Sequence, residues 1–272
     1  MRFRHLPWTA PFGHPKGDIG FIHNAFLVPA GRHLARTVIG VCHNDKPEKF
    51  RAADHLICLT DDGVQKAKQA GWHQDNITCL PHFITPATPP ARHIHNRDLH
   101  IVAAGRLVAK KNFALFIDIA AAVKAKIPSM RFSLAGTGPQ EAMLRARNEA
   151  AGNPVELLGW ADLTKLAAEA DIFCSPSLDE PFGYVLTEMM QAGLAILATP
   201  SFGARMILDQ GQAGWILPFA DVRPWVDVLR QLHHDRKALL AAQKAAGMRM
   251  DSPLFSRAQF SETLRALTDQ YS

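Results

Sequence analysis

Short apolar runs alternate with amphipathic stretches along this chain, most regularly between residues 99 and 217. Leu99 to Ala104, Arg131 to Ala135 and Ile172 to Cys174 have the length and composition of buried strands, and helical patterns such as Phe113 to Lys126 separate them. Such alternation predicts an α/β fold in which helices cover both faces of a doubly wound parallel sheet. This part contains about six predicted strands, a complete domain, whereas residues 1–90 contain about three.

The length of 272 residues fits about two domains. A proline-rich stretch from residue 81 to residue 90 interrupts the alternation and is predicted to link them. We therefore expect an incomplete N-terminal Rossmann-like domain over residues 1–88 and a C-terminal one over residues 89–252. The last helical pattern, within residues 253–272, is expected to pack back on the first domain.

The composition is that of a soluble globular protein, with 47% hydrophobic and 20% charged residues. No apolar stretch approaches the roughly 18 residues of a membrane span, and the first residues lack the apolar run of a signal peptide. Four cysteines, at positions 42, 58, 79 and 174, show no C-x-x-C spacing and lie in or beside apolar segments. Buried free thiols in a reducing cytoplasm are therefore expected.

Positive charge is concentrated in the first part of the chain. Residues 1–100 hold 12 Lys and Arg against 8 Asp and Glu, together with 11 of the 13 histidines. A basic face that meets anionic lipid or a phosphorylated acceptor would explain this, and so would an ordinary solvated surface. No run of Arg and Lys with interleaved aromatic residues occurs, so a nucleic-acid partner is not expected.

The segment from Asp179 to Glu188 predicts a strand, a tight loop and a helix start. Pro181 and Gly183 suit the entry to a helix, whose first N–H groups would bind an anion. Glu180 in the loop and Glu188 in the first helical turn flank that anion site. Because carboxylates repel phosphate, they would instead hold hydroxyl groups beside it, as on a sugar and a ribose. The segment therefore predicts a nucleotide-sugar site. The predicted anion-binding backbone belongs to Phe182, Gly183, Tyr184 and Val185.

Further special residues follow other predicted strands of the same domain. They are Arg106 and Lys111 after the first strand, Gly136 and Gly138 after the second, and Leu158, Gly159 and Trp160 at the end of the third. Ligands of open parallel sheets bind at these carboxyl ends. Taken singly, a G-x-G turn, a charged helix start or a carboxylate near a helix N-terminus has an ordinary structural explanation. Together and in this order they predict one binding site.

These motifs are those of a known enzyme family. The chain resembles the retaining nucleotide-sugar glycosyltransferases of family 4, in group 1, which are built on the two-domain GT-B fold. The resemblance rests on Gly-Arg-x-x-x-x-Lys at residues 105–111, Gly-x-Gly-Pro at residues 136–139 and Glu-x7-Glu at residues 180–188. It extends over residues 18–270 and is densest over residues 99–217.

The resemblance implies a hexosyltransferase-type enzyme. It would move a sugar from a UDP- or GDP-sugar to a saccharide or lipid-linked acceptor, with retention of the anomeric configuration through an oxocarbenium-like transition state. Arg106, Lys111 and the helix start would hold the donor diphosphate, and Glu180 and Glu188 would hold hydroxyls of the sugar and the ribose. The backbone of residues 158–160 would meet the base.

The resemblance further implies a cytoplasmic enzyme of cell-surface polysaccharide or lipopolysaccharide synthesis, with peripheral contact at the inner membrane face. No cofactor and no metal ion are expected. In agreement, the sequence contains no Asp-x-Asp element, which a metal–diphosphate site would need.

His43 follows the second predicted strand, where a histidine of the family faces the donor sugar, and it is therefore a candidate catalytic residue. It is equally one of many histidines in a histidine-rich half. His23, after the first predicted strand, is a second candidate for the same cleft.

Two features depart from the family pattern. The family's first strand and glycine-rich loop have no counterpart here, which implies that the chain enters the first domain about midway. Met206 stands where the family often has the carboxylate of a Gly-Gly-x-x-Glu element, so the donor preference is open. The alternatives are a nucleotide-sugar-binding protein without full catalysis, as a shortened relative or a subunit of a hetero-complex, and an epimerase or phosphorylase on the same fold.

Overall fold

The computed structural model describes residues 17–44, 46–85 and 98–271. Two compact units divide them: one runs to Leu80 and includes the residues from Ser261 onward, and the other runs from Pro81 to Phe260. The predicted domain boundary between residues 88 and 89 lies outside the described residues.

The first unit contains a parallel sheet. Its elements, in chain order, are β1 (Gly17–Ile22), α1 (Val28–Leu34), β2 (Ala35–Cys42), β3 (His55–Cys58), α2 (Asp61–Gln69) and β4 (Ile77–Cys79). The strands pair in the order β1-β2-β3-β4. The alternation predicts the first three of them. It misses β4, which has only three residues, too few to show a period.

The second unit contains a larger parallel sheet. Its strands are β5 (His100–Ala104), β6 (Arg131–Ala135), β7 (Glu156–Gly159), β8 (Ile172–Ser175), β9 (Ala195–Ala198) and β10 (Trp215–Ile216). They pair in the order β10-β9-β8-β5-β6-β7. The six predicted strands are thus present, and the predicted α/β class with parallel sheets is confirmed.

Helices connect these strands, and further helices follow the last strand. They are α3 (Phe113–Lys124), α4 (Glu141–Ala150), α5 (Leu163–Glu169), α6 (Tyr184–Gln191), α7 (Phe202–Ile207), α8 (Arg223–His234), α9 (Arg236–Met250) and α10 (Arg257–Asp269). The predicted apolar residues of α3 recur every three or four positions and therefore lie on one side of the helix. This side is buried. It consists of Phe113, Phe116, Ile117, Ala120 and Val123.

The main core of the second unit lies between the sheet and helices that include α3 and α8. Trp225 of α8 is fully buried in it, and its indole N–H donates a hydrogen bond to the Pro218 carbonyl at 2.8 Å. A buried indole thus has its polar atom satisfied, so its large apolar area stabilises the core. Within the described ranges, no helix combines the length and the apolar character that crossing a membrane requires.

The cysteines are free thiols, as predicted. Cys42, Cys58 and Cys174 are buried, and Cys79 is half-buried. Burial raises the pKa of Cys58 to about 12 and also raises the pKa values of Cys79 and Cys174. These three thiols are therefore protonated at neutral pH and are poor nucleophiles.

His55 joins the last residues of the chain to the sheet of the first unit. Its Nδ1 lies 3.0 Å from the Tyr271 hydroxyl, and its Nε2 lies 2.8 Å from the Thr78 hydroxyl. The side chain is buried, and this burial lowers its pKa to about 4. The neutral imidazole thus links β3, β4 and Tyr271, which lies two residues after the end of α10.

Lowering the pH from 7 to 5 should destabilise the first unit. The pKa of His55 is about 4 in the folded protein and about 6.5 in an unfolded chain. Its contribution to stability is therefore complete above pH 6.5 and is lost as the pH falls toward 4, with about 2 kcal/mol lost by pH 5. Urea unfolding at the two pH values measures this loss. His55→Gln should reduce the difference between the two pH values, whereas His33→Gln, at an exposed position, should not. An equal pH dependence in His55→Gln and the wild type would contradict this assignment.

Candidate functional site

The strand order of the second unit reverses between β8 and β5. On one side β5 leads to β6 and β7, and on the other β8 leads to β9 and β10. The connections that leave β5 and β8 therefore run to opposite sides of this point, which is where ligands of such sheets bind. Arg106 and Lys111 follow β5, and Glu180 and Glu188 follow β8. We call this place the switch point.

Lys111 and Glu180 form an ion pair at the switch point, between Nζ and Oε2. Their side chains are only 17% and 15% exposed, so both charges are largely withdrawn from water. A backbone hydrogen bond of 2.8 Å from the Leu178 N–H to the Lys110 carbonyl joins the two connections. Removing either charged partner would leave the other poorly solvated, so the pair acts as a unit.

Arg106 provides a second cation beside the end of β5. It follows Gly105 directly, and its side chain is exposed. Among the residues that the structure describes, no carboxylate pairs with it. The guanidinium therefore faces solvent at the carboxyl edge of the sheet, where it is accessible to an anionic ligand.

Backbone hydrogen bonds join the loops after β5, β6 and β7. The Leu107 N–H donates to the Thr137 carbonyl at 2.9 Å, and the Gly136 N–H donates to the Gly159 carbonyl at 2.6 Å. The three predicted loops thus form one continuous backbone surface along the carboxyl edge.

The two predicted glycines of the second loop lie against the first loop. A Cβ at Gly136 would lie 1.9 Å from the Gly105 carbonyl oxygen, and one at Gly138 would lie 2.5 Å from the Leu107 carbonyl oxygen. The sequence assigns these glycines to the approach of a ligand, whereas the close approach in the structure is made by the neighbouring loop. The Gly-x-Gly spacing therefore has a packing role of its own.

The end of β7 provides a large exposed aromatic surface. Leu158 and Gly159 are half-buried, while Trp160, the next residue, is 82% exposed. Most tryptophan side chains bury a large part of their area in folded proteins. An indole left open at a carboxyl edge is therefore a candidate surface for stacking against a ligand.

Helix α6 begins with an open amino terminus. Gly183 precedes it with φ 101° and ψ 62°, a left-handed conformation that favours glycine. The first intrahelical bonds are those from the Leu186 and Thr187 N–H groups to the Gly183 carbonyl. Within the described residues, no side chain caps this terminus. The N–H groups of Tyr184 and Val185 are therefore the donors that α6 can offer to an anion.

The start of α6 differs from the prediction at Phe182. The sequence includes Phe182 in the anion-binding turn, but in the structure it lies before the left-handed Gly183 and is buried. The positive φ of Gly183 interrupts helical geometry there, so Phe182 is not part of the helix. Its ring packs on the rings of His82 and Tyr184, and the donation of its backbone N–H to an anion stays a prediction.

Glu188 also lies elsewhere on α6 than predicted. Because the helix starts at Tyr184, Glu188 is in the second turn and not the first. The helix dipole acts mainly within the first turn, so a favourable interaction with that dipole is not the reason for a carboxylate at position 188. Its side chain is exposed, yet neighbouring protein atoms desolvate the carboxyl group enough to raise its pKa. Glu188 lies four residues after Tyr184 and hence on the same side of the helix.

The structure adds a residue that sequence reasoning misses. The ring of His82 stacks on that of Tyr184, with centroids 5.0 Å apart, and meets that of Phe182 edge-on at 5.1 Å. Tyr184 is 52% exposed, yet partial desolvation of its hydroxyl raises the pKa of that group. His82 lies in the proline-rich stretch, which has no periodicity, so no local signal relates it to a helix about a hundred positions later.

The first unit contains the other predicted histidines. His23 and His43 follow the neighbouring strands β1 and β2, and His23 Nδ1 lies 2.6 Å from His43 Nε2. Such a contact requires one nitrogen to donate and the other to accept. Burial, and secondly the charge of His23, lower the pKa of His43. The two candidates therefore form one pair in which His43 is neutral at pH 7. The catalytic role of His43 stays a prediction.

Potential metal ligands do not cluster in the described parts of the chain. There, no group of three or more His, Cys, Asp and Glu side chains is arranged to hold a metal ion.

Comparison with known proteins identifies a family. The sequence model of the family described as glycosyl transferases, group 1, matches residues 98–235. This range is half of the chain and includes Arg106, Lys111, Glu180 and Glu188.

Two similar curated proteins come from Rhizobium meliloti strain 1021. The lipopolysaccharide core biosynthesis glycosyltransferase LpsE is 24% identical over 202 residues, which are 68% of this chain and 56% of LpsE. Its counterpart LpsD is 28% identical over 228 residues, which are 79% of this chain and 62% of LpsD. The chain thus spans little more than half the length of these relatives.

Among solved structures, Anabaena HepE in complex with UDP matches with a TM-score of 0.80 at 16% identity. The match covers 93% of this chain and 79% of HepE. At this identity the likeness shows the fold alone. The predicted GT-B type, α/β with parallel sheets in two Rossmann-like domains, is confirmed.

Replacing Gly136 by alanine should destabilise the second unit. The added Cβ would lie 1.9 Å from a carbonyl oxygen, at a φ of 146° that alanine rarely adopts. Relief requires a backbone shift that costs about 1–3 kcal/mol, so the melting temperature should fall by several degrees. Gly247→Ala in α9 is the matched control, because nothing lies within 4 Å of its added Cβ and alanine favours helices. A Gly136→Ala protein that melts with the wild type would refute the close packing of these loops.

Proposed function

Because this chain belongs to the glycosyl transferases of group 1, we propose that it transfers a sugar from a nucleotide-sugar donor to a saccharide or lipid-linked acceptor. The observation that carries the proposal is the Lys111–Glu180 pair at the switch point, whose Glu180 lies in the connection that leads into α6. A sugar diphosphate requires cations and N–H donors for its phosphates and acceptors for its hydroxyls. Both kinds of group are present at this place.

The donor diphosphate is assigned to Lys111, Arg106 and the N–H groups of Tyr184 and Val185. When the bond between the anomeric carbon and the diphosphate oxygen breaks, its electron pair goes to the diphosphate. Fixed positive groups that face this oxygen stabilise the growing charge more in the transition state than in the ground state. Because the chain itself supplies this positive charge, the proposal includes no metal ion.

The donor sugar is assigned to Glu180, and the ribose to Glu188. A carboxylate that accepts hydrogen bonds from sugar hydroxyls fixes the ring, and its charge favours the oxocarbenium character of the anomeric carbon. Lys111 holds the Glu180 carboxylate in one orientation in the free protein. Retention of the anomeric configuration is proposed from the family 4 motifs at residues 105–111 and 180–188.

The base is assigned to the end of β7, where Trp160 is exposed beside Leu158 and Gly159. HepE is described in complex with UDP-glucose. UDP-sugars are therefore the first donors to test, followed by GDP-sugars.

The proposed role is in cell-surface polysaccharide or lipopolysaccharide synthesis at the cytoplasmic side of the membrane. LpsE and LpsD are both named for lipopolysaccharide core biosynthesis, which supports this role. The excess of Lys and Arg in residues 1–100 would favour contact with anionic lipid.

UDP or GDP should stabilise the protein against heat, and chelation with EDTA should not change this. A ligand at 100 times its dissociation constant adds about 2.7 kcal/mol to the free energy of unfolding. Lys111→Ala should weaken nucleotide binding by a factor on the order of 10, since it removes a charge-assisted hydrogen bond. Lys165→Ala, at an exposed position on α5, is the control and should bind like the wild type. No thermal shift with either nucleotide would refute the proposed function.

Glu180→Gln should abolish sugar transfer while nucleotide binding is kept or becomes tighter. The amide keeps the side-chain shape but loses the charge, and Lys111 is released to the phosphates. Release of UDP or GDP from a panel of donor sugars measures turnover. Glu141→Gln, whose carboxylate pairs with Arg145 on the surface of α4, should leave turnover unchanged.

Unchanged turnover in Glu180→Gln would show that Glu180 is not catalytic. Nucleotide binding without turnover of any donor by the wild type would favour the alternative of a nucleotide-sugar-binding protein.

A further inference from the structure

Residues 81–85 form a segment of the second unit with neither helix nor strand. It runs beside α6, because His82 contacts the first helical residue, Tyr184, and Thr85 contacts the last, Gln191. The latter contact is a hydrogen bond of 3.0 Å from the Gln191 side-chain amide to the Thr85 carbonyl. The lengths agree: three extended residues span about 10 Å, and the seven steps along α6 also rise about 10 Å. The segment is therefore fastened to both ends of the helix.

The contact at the start of α6 involves three rings. The plane of His82 lies 24° from that of Tyr184, with centroids 5.0 Å apart, and the edge-on contact with Phe182 is 5.1 Å. Phe182 and Tyr184 also pack on each other at 5.1 Å. Phe182 and Tyr184 are the two neighbours of Gly183 in the chain, and the ring of His82 contacts the rings of both.

The other side of the segment is anchored elsewhere in the second unit. The Ile84 N–H donates to the Phe255 carbonyl at 2.9 Å, and the ring of Phe83 meets that of Phe260 at 5.1 Å. Because the hydrogen bond of Ile84 holds the backbone near His82, the His82 ring can restrain the start of α6 and does not merely follow it.

Helix α6 depends on packing for its stability. It has eight residues, fewer than an isolated helix requires to be stable in water. It begins at a glycine, and within the described residues no side chain caps it. The directions of the Tyr184 and Val185 N–H groups thus depend on how the side chains of this turn pack.

We propose that His82 is a positioning residue of the donor site. By stacking on Tyr184 and Phe182, it holds the first turn of α6 in the orientation in which its N–H groups meet the donor diphosphate. This inference rests on the proposed function, since it assigns the diphosphate to that turn.

The test compares the wild-type chain of 272 residues with its variants His82→Ala, His82→Phe and Phe83→Ala. Calorimetry measures the dissociation constant of UDP, and ligand-observed NMR measures that of uridine, which lacks phosphates; GDP and guanosine replace them if the protein binds GDP. His82→Ala should weaken UDP binding by about three- to tenfold, the range expected for one aromatic pair, and should leave uridine binding unchanged. His82→Phe keeps a ring at this position and should retain the UDP affinity. Phe83→Ala removes a ring of the same segment but leaves the hydrogen bond from Ile84 to Phe255 that holds its backbone, so it should also retain the UDP affinity.

Two outcomes with a nucleotide would overturn the inference. Wild-type UDP affinity in His82→Ala would show that the ring positions nothing. An equal loss of UDP and uridine binding would show a general structural role.

Amide hydrogen exchange without nucleotide separates this inference from the proposed function. Exchange of the amides of residues 184–187 should be faster in His82→Ala than in His82→Phe. If the wild type binds neither nucleotide, the proposed function fails, and unchanged exchange in His82→Ala would then overturn the positioning role as well.

Discussion

The pairing of β5 with β8 is the constraint on which the candidate site depends. Lys111 and Glu180 are 69 positions apart, and they meet because these two strands are neighbours in the sheet, with Ile101 opposite Ile172. If the strands were ordered as in the sequence, β5 and β8 would lie about 14 Å apart, and the ion pair could not form. The reversal therefore brings a lysine from one half of the domain to a carboxylate from the other half.

This arrangement has a chemical consequence for a ligand that carries both phosphates and hydroxyls. The ion pair holds opposite charges side by side in a place that is largely shielded from water. There, the electrostatic interaction of each charge with a ligand is stronger than on the surface. The open start of α6, in the same connection as Glu180, adds backbone donors without adding a mobile side chain. Because the helix is short, its start relies on packing, and the rings of His82, Phe182 and Tyr184 provide that packing.

The first unit uses neutral histidines in two places. His55 is buried between Thr78 and Tyr271, and His43 is half of a pair with His23. In both cases desolvation favours the uncharged imidazole, which can then donate through one nitrogen and accept through the other. Desolvation of an imidazole thus supports the structural link at His55. It also supports the polar pair of His23 and His43 at the carboxyl ends of β1 and β2.

The sequence by itself determined the architecture and the positions of the special residues along it. Buried strands are short apolar runs bounded by turn residues, so the bounds of β6 and β9 could be predicted residue by residue, and the motifs could be placed at carboxyl ends of strands. Only the tertiary structure decided which of those residues meet. The positive φ of Gly183 set the first residue of α6 and moved Glu188 into the second turn. The strand order places Glu180 beside Lys111, and the path of residues 81–85 places His82 against Tyr184. No local pattern records such contacts, because they depend on how distant segments pack.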